Sequence, residues 1–412
     1  MSKKRLPIAE FVALMAMLFS MVAFSIDSML PGLPDIARDL SPDRPNLAQL
    51  VVTSFVLGLG LGSTVTGPLS DSFGRRKIVI GGMALFVLGS VLAYLAPTLE
   101  VLLLARLLQG LGVAGPRIAP LAMVRDLYEG RRMAQITSFV TTVFMLVPAL
   151  APSLGTLIIS AGGWRAIFLV FIGFAGIAGT WLLIRQGETL PPERRRRLGV
   201  VDLRESFVVV ISNKTARIAL FALSLEFGAL VALLSSTQPI YAQVFDRADS
   251  FPLWFAATAL VAAVGTILNA RLVMGLGMRR LIFWAFAGQM VVSILAAAVF
   301  QSGVLTGDSA FFLWFAWSAS LLFGVGMIMG NLSALALQPL GHVAGMAASV
   351  ISALSTIIGV VIAVPIGQAF NGSPLPLIVS VAFLTGAALV LLLRHLPADA
   401  TGVEPPAFID NN

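Results

Sequence analysis

Long apolar segments separated by short polar turns follow one another along the whole chain, and this alternation restricts the fold more than any other feature. Of 412 residues, 58% are hydrophobic and 11% are charged, and the mean hydropathy is +0.94. A soluble domain carries about 25% charged residues, and a helix needs about 20 apolar residues to cross a bilayer. The sequence therefore predicts an integral membrane protein with many transmembrane helices.

The apolar segments predict an all-α fold of twelve transmembrane helices. They fall at 8–30, 47–68, 78–96, 99–124, 133–158, 164–185, 215–238, 251–274, 280–301, 309–336, 342–366 and 375–394. We expect an N-terminal six-helix bundle at 1–186, a basic linker at 187–213, a C-terminal bundle at 214–396 and a cytoplasmic tail at 397–412. Transporters often repeat one six-helix unit about an axis along the membrane normal, so the two bundles should be pseudo-symmetric.

Basic residues are distributed unevenly between the two sides of the predicted helices. Of the 27 Lys and Arg residues, 21 fall on the side of both termini, four on the other side and two within a span. The positive-inside rule then places both termini in the cytoplasm. This bias accounts for the net charge of +7 without a nucleic-acid partner, and it predicts contact of the basic linker with membrane lipids. With no cysteine and two histidines, no metal site or disulfide is expected.

Four ionisable residues lie inside predicted spans, where a charge is costly and usually functional. Asp27 is interpreted as a proton carrier, with an interfacial cap as the alternative, because burial and nearby charges control whether a carboxyl keeps its proton. Arg106 falls in the same outer half, so we expect a salt bridge or a water-linked pair with Asp27. An arginine does not release its proton in a protein, so Arg106 would support the acid.

The other candidates leave alternatives open. Arg117 lies eleven residues after Arg106, which puts both on one helix face, and its role is either contact with substrate or helix, or purely structural. Glu226 is a site for a cationic substrate or a second proton, or else pairs with a neighbouring helix. Uncharged polar residues at depth are weaker substrate-binding candidates, because they commonly bond between helices. They include Gln109, Gln238 and Asn331.

Three local patterns add detail. GPLSDSFGRRK, residues 67–77, is interpreted as a tight loop between helices 2 and 3, in which Gly67 and Gly74 permit close approach. In helix 5, Pro148, Pro152 and Gly155 predict bending and close helix packing. The aromatic run FFLWFAW at 311–317 predicts a lipid-facing belt at the membrane interface.

GPLSDSFGRRK, ARLLQG and APSLG resemble motifs of the major facilitator superfamily. SIDSMLPGLP, VRDLYEG, GGWRAIF and ETLPPERRR more locally resemble the bicyclomycin/chloramphenicol resistance branch of its drug:proton antiporters. The resemblance implies a monomeric, proton-driven exporter of small drugs in the bacterial inner membrane, without enzyme activity or cofactor. It gives Asp27 the proton-coupling role and Arg106 a supporting one. It also implies a conformational latch, made of Gly67, Asp71, Gly74, Arg75, Arg76, Arg125 and Asp126, that works with the start of helix 11.

Departures from the family pattern and two alternatives remain. Phe19 stands where some related antiporters carry a second acid on helix 1, so we expect a neutral or weakly charged amphipathic substrate. The first alternative is transport of a metabolite such as an amino acid or organic anion, with Arg106 and Arg117 as substrate ligands. The second is a non-transporting receptor or scaffold, which leaves the polar face of helix 4 without a purpose.

Overall fold

A computed structural model describes residues 6–195 and 200–395, and over these residues the protein is all helical apart from turns. Twelve helices in the described part are long and apolar enough to cross a membrane, as predicted. They are α1 (Ile8–Asp27), α2 (Leu50–Phe73), α3 (Arg75–Tyr94), α4 (Leu99–Leu127), α5 (Gly130–Gly162), α6 (Ala166–Arg185), α7 (Lys214–Pro239), α8 (Phe251–Leu276), α9 (Met278–Ser302), α10 (Gly307–Leu337), α11 (Ala344–Gln368) and α12 (Leu375–His395).

The two halves repeat the same pattern of helix packing. In the first half α4 packs against α2 and α3, and α1 packs against α5. In the second half α10 packs against α8 and α9, and α7 packs against α11, which is the same arrangement moved on by six helices. The halves meet along two seams, α2 with α11 and α5 with α8. The predicted pair of pseudo-symmetric six-helix bundles is therefore confirmed.

The junction between α2 and α3 is shorter than the sequence suggests. Residues 67–77 were expected to form a loop, but α2 continues to Phe73 and α3 begins at Arg75. Gly74 alone joins them, with φ of 102°, a conformation that other residues rarely adopt. Gly277 joins α8 to α9 in the same way, with φ of 78°, so the two halves share this glycine junction at equivalent places.

Two further segments differ from the sequence expectation. A short helix, Val200–Ser212, lies in the predicted linker and packs against α11; we call it the linker helix. The lipid-facing assignment of the aromatic run at 311–317 is wrong for Phe311, Trp314 and Trp317, which are buried. Phe311 is covered because its ring packs against that of Trp254, with centroids 4.9 Å apart. Among the aromatic residues of the run only Phe312 is exposed.

The α2–α4 contact depends on glycines. A Cβ added at Gly110 would lie 2.0 Å from the carbonyl oxygen of Phe55, and one added at Gly58 would lie 2.1 Å from that of Leu107. The two backbones therefore touch without side chains between them, as is common where membrane helices pack closely. This contact fixes the depth and rotation of α4, which carries Arg106, Gln109 and Arg117.

We predict that Gly110→Ala lowers the thermal stability of the purified protein by several degrees. The added methyl group must push α4 away from α2, and overpacking of this kind costs about 1–3 kcal/mol. Thermal unfolding in detergent measures the change. Gly176→Ala in α6 is the matched control, because a Cβ there meets nothing within 4 Å. Equal melting temperatures for the two variants would contradict the close contact.

Candidate functional site

Asp27 is the last residue of α1 and is buried, with 4% of its surface exposed. The structure gives its carboxylate no hydrogen bond or ion pair with any residue in the described part of the chain. The residues before it, from Ser20 to Ile26, are buried as well. A carboxyl group in such surroundings is not held in its charged form by a fixed partner, which is the property that a reversible proton carrier needs.

Arg106 of α4 is completely buried and lies close to this acid without pairing with it. Its Nε donates to the carbonyl of Val51 (3.1 Å), one terminal nitrogen donates to the carbonyl of Ser25 (3.0 Å), and the other donates to Gln109. Its guanidinium carbon also lies 4.4 Å from the ring centroid of Phe55. The salt bridge with Asp27 that the sequence suggested is not formed, because backbone carbonyls of α1 and α2 take its donors.

Gln109 extends the arginine contacts into a network across four helices. Its Oε1 accepts from Arg106 at 2.9 Å and its Nε2 donates to the hydroxyl of Ser90 at 2.7 Å. That hydroxyl donates to the carbonyl of Phe86 in α3. We call Arg106, Gln109 and Ser90, with the carbonyls of Ser25 and Val51, the arginine network. The predicted substrate contact of Gln109 remains a prediction, but in this conformation both ends of its amide bond to protein.

The helix 5 motif contacts the chain immediately after Asp27. A Cβ added at Gly155 would lie 2.1 Å from the carbonyl oxygen of Ser28, so α5 and the end of α1 touch through backbone. Pro148 and Pro152 both lie inside the unbroken helix α5. The same helix also packs against α8 of the second half. The motif therefore connects the surroundings of Asp27 to one of the two seams between the halves.

The remaining candidates lie apart from the arginine network. Glu226 is buried in α7, and neither of its carboxylate oxygens has a hydrogen-bond partner. Gln238 near the end of α7 is also buried, with an unpartnered Oε1. Asn331 of α10 donates to Asn269 Oδ1 at 2.6 Å and so ties α10 to α8. Arg117 is half-buried, and the structure gives it no hydrogen bond with another described residue.

Hydrogen bonds between the halves lie at one face of the bundle, which we call the clasp face. Asn46, before α2, donates to the carbonyls of Gln368 (3.2 Å) and Phe370 (2.7 Å), and Gln368 Nε2 donates back to the Asn46 carbonyl (2.8 Å). Beside them the Ser236 hydroxyl donates to Gln49 Oε1 (3.3 Å). All four of these bonds join the N-terminal half to the C-terminal half. None of these four side chains was singled out from the sequence.

The predicted latch residues gather at the opposite end, which we call the basic face. Arg75 forms an ion pair with Asp71, and its Nε donates to Asp126 at 3.1 Å. Arg76 donates instead to the carbonyl of Leu183. Latch residues share a cavity of about 710 Å³ with the start of the second half's α11. Its lining includes Gly67, Asp71, Arg75, Arg125 and Asp126, and Gly345, Met346 and Ser349.

Glu188 and Thr189 contact the predicted latch residues, and sequence reasoning missed both. Glu188 accepts from the backbone N–H groups of Arg75 (2.9 Å) and Arg76 (3.2 Å), the unpaired donors at the start of α3. The Thr189 hydroxyl donates to Asp126. A Cβ on Gly74 would lie 2.4 Å from Glu188, so glycine there serves this contact as well as the turn. The only signal available in the sequence was the acid in ETLPPERRRR.

Comparisons with known proteins decide the family. The model of the Major Facilitator Superfamily matches residues 12–364. The chain belongs to this superfamily. A bicyclomycin resistance protein homolog of Haemophilus influenzae is 27% identical over 390 residues, covering 92% of this chain and 94% of that protein. A chloramphenicol resistance protein of Pseudomonas aeruginosa is 33% identical over 177 residues, covering 43% and 42%. The predicted resemblance to this branch is thereby confirmed.

Solved structures support the same fold. A D-xylose-proton symporter superposes with a TM-score of 0.74 at 15% identity, covering 94% of this chain and 98% of that one. At that identity the similarity concerns the fold alone. Membership of a family of membrane transporters means that the chain is not an enzyme, in agreement with the sequence. Among the described residues no group of three or more His, Cys, Asp or Glu is placed to hold a metal ion.

We predict that joining the clasp face covalently stops transport. The chain has no cysteine, so Asn46→Cys with Gln368→Cys introduces the only two thiols. A short bifunctional thiol reagent should link them, because each side chain already bonds to the other residue's backbone. Transport should fall to background in the linked double variant and be retained in the two singly substituted controls. Full transport by linked protein would contradict a gate at this face.

We predict that Asp71→Asn and Glu188→Ala shift the conformational balance while leaving substrate binding nearly unchanged. Both changes weaken contacts at the start of α3, far from Asp27. The readout is thiol labelling of a Ser349→Cys reporter, since Ser349 faces Gly67 across the seam, and its rate should change several-fold. Glu193→Ala, an exposed acid in the same linker, is the matched control. Lost binding with an unchanged labelling rate would argue against this role.

Proposed function

We propose that the protein exports small amphipathic drugs, of the chloramphenicol and bicyclomycin kind, in exchange for protons. The observation that carries the proposal is Asp27, a buried carboxyl without a fixed partner at the end of α1. It lies in a chain whose relatives are named bicyclomycin, chloramphenicol and multidrug resistance proteins. A group that gains and loses one proton during the cycle is what coupling to a proton gradient requires.

The contacts around Asp27 support this role because they hold the end of α1 from two sides. Arg106 bonds to the Ser25 carbonyl, two residues before the acid. Gly155 touches the Ser28 carbonyl, one residue after it. A small rotation of α1 against α4 would bring the carboxylate nearer to the guanidinium or take it away. The ionised form is favoured near that cation and the protonated form away from it.

The orientation that we infer puts the basic face in the cytoplasm and the clasp face outside. The excess of Lys and Arg on the side of both termini supports this orientation. The bacterial origin of the relatives supports a location in the inner membrane. In this orientation the clasp of Asn46 and Gln368 closes the outer exit. Drug would enter between the halves from the basic face, and the clasp would open to release it.

The membrane potential alone supplies enough free energy for uphill export. One proton moving inward down the membrane potential contributes about 2.3 kcal/mol per 100 mV. Because about 1.4 kcal/mol corresponds to a factor of ten, one proton supports a drug gradient of roughly 40-fold before any pH difference is added. An electrogenic exchange of one neutral drug for one proton therefore gives useful resistance.

Transport of an anionic metabolite is the main alternative. It would use Arg106 and Arg117 as substrate ligands. Arg106 has three donor nitrogens bonded to protein acceptors in the described structure, which favours a structural role over recognition of an anion. Arg117 has no hydrogen bond with another described residue and could still bind an anion. The two proposed functions therefore predict different effects of Arg117→Gln. An anion carrier should lose substrate affinity, whereas the proposed exporter should still confer resistance.

We predict that Asp27→Asn abolishes drug resistance and proton-driven transport while leaving the protein folded. The amide cannot exchange a proton, and it keeps nearly the same volume. A pump-deficient bacterium expressing the chain should tolerate several-fold more chloramphenicol, and the variant should give no protection. In proteoliposomes an imposed pH gradient should drive uphill movement of drug through wild type only.

Two controls accompany this measurement. Asp43→Asn changes an exposed acid before α2 that forms no hydrogen bond or ion pair with another described residue, so it should leave resistance unchanged. Expression level and monodispersity in detergent show that Asp27→Asn folds. Full pH-driven uphill efflux by Asp27→Asn would remove the acid from the coupling step. No protection by wild type against any drug in a broad panel would favour the metabolite alternative.

A further inference from the structure

A second buried acid lies in the middle of α7, where the first proposal gives it no task. Glu226 has 1% of its surface exposed, and both of its carboxylate oxygens are buried without a hydrogen-bond partner. Its neighbours one turn away on the same helix are all apolar: Ala222, Leu223, Ala229 and Leu230. An acid in such a setting is a functional site by default in a membrane protein.

No charge lies at the depth of Glu226 on the long helices packed against α7. Within the described residues α11 carries no charged residue, α10 carries Asp308 in its first turn, and α12 carries Arg394 and His395 in its last turn. Asp71 lies near the end of α2, which also touches α7. Thus none of these four helices offers a counter-ion near the acid.

The shorter elements that touch α7 also meet it towards its ends. Their ionisable residues are Asp35, Arg38 and Asp39 before α2, Tyr241 after α7 and His342 before α11. The linker helix adds Asp202, Arg204 and Glu205, and α7 itself has Lys214 and Arg217 in its first turn. By their place in the chain these residues belong to the ends of the helices, so no described side chain offers a negative charge on Glu226 a donor or a cation.

The internal repeat relates this acid to Asp27. Aligning Gly74 with Gly277, the two equivalent junctions, puts Leu230 opposite Asp27. Glu226 lies one helical turn before that position, about 6 Å along the axis. The same helix of each half thus carries one buried, unpartnered carboxyl at nearly the same depth. The first half alone has an arginine network beside it.

We propose that Glu226 is a second proton-binding site, which holds a proton in the conformation of this structure and exchanges it during the transport cycle. An ionised carboxylate costs most where it has no hydrogen-bond donor and no counter-ion, whereas the neutral acid is tolerated there. The small apolar neighbours and the burial favour a proton over a cationic substrate as the ligand of Glu226, because a proton can reach a buried carboxyl along a transient chain of water molecules. The proposal rests on the proposed proton-coupled export and makes each half contribute one acid.

Infrared spectroscopy of purified protein without substrate tests proton binding directly. At pH 7 the wild type should show the carbonyl stretch of protonated carboxyl groups, and Glu226→Gln should remove one component of it. Asp27→Asn should remove a different component, and the double variant both. Asp43→Asn, which alters an exposed acid, should leave the band unchanged. A Glu226→Gln spectrum identical to wild type in this band would overturn the proposal.

Coupling stoichiometry provides the second test. In proteoliposomes with the membrane potential clamped to zero, one pH unit should hold a chloramphenicol gradient of about 100-fold if two protons are exchanged, and about tenfold if one is. We expect the wild type near the first value and Glu226→Gln near the second. A tenfold gradient for both would overturn the second site. If the wild type moves no chloramphenicol, the drug-export proposal fails, while the infrared result still decides whether Glu226 binds a proton.

A lower gradient in Glu226→Gln could result from misfolding instead of the loss of a proton site, and further measurements on the Glu226 variants distinguish the two causes. Glu226→Gln keeps the size and polarity of the side chain, and a melting temperature close to wild type shows that α7 is intact. Glu226→Asp should restore the infrared band and the steeper gradient in part, because it restores a titratable group. A Glu226→Asp variant that restores the steeper gradient without restoring the infrared component would instead indicate a positioning role and would overturn proton binding at this residue.

Discussion

Burial of Arg106 without a carboxylate partner is the constraint on which the N-terminal half depends. Its charge is balanced by the carbonyls of Ser25 and Val51, by Gln109 and by the ring of Phe55. These acceptors come from α1, α2 and α4, so three helices must keep their positions for the arginine to stay solvated by protein. Removing partners from a buried charge typically costs 3–5 kcal/mol. The arginine therefore fixes where α1 ends, and with it the location of Asp27.

Contacts within each half differ in kind from contacts between the halves. Within a half, charged groups pair closely, as Arg185 does with Glu10 and Arg247 with Asp308, and glycine seams bring backbones together. Between the halves the described residues form four hydrogen bonds between neutral groups at the clasp face. Each such bond contributes about 0.5–1.5 kcal/mol. A structure that is strong within its halves and weak between them suits rigid halves that rock against each other, because the clasp can break without disturbing either one.

Hydropathy and charge were enough to predict the twelve helices, their grouping by six and the burial of Asp27 and Glu226, because bilayer thickness and the cost of buried charge act on sequence directly. The hydrogen bonds of the clasp face could not be predicted from the sequence, because Asn46 and Gln368 are 322 residues apart and are ordinary polar residues at helix ends. Glu188 was missed for a similar reason: its partners are backbone N–H groups, which leave no trace in a sequence. The direct salt bridge between Arg106 and Asp27 is not formed, because the donors of Arg106 bond to the carbonyls of Ser25 and Val51 and to Gln109. The water-linked pair stays a prediction.

In the proposed exporter, the position of Gly155 explains how a motion between the halves would reach Asp27. On one side α5 packs against α8, so this helix must respond when the halves change their angle. On the other side Gly155 touches the Ser28 carbonyl with no side chain between to absorb a shift. Arg106 holds Ser25, three residues earlier, so displacement of α5 is concentrated on the short segment that contains Asp27. The acid thus lies between a contact with Arg106 inside its own half and a contact with α5, which reaches the other half, so rocking of the halves would change the surroundings of Asp27.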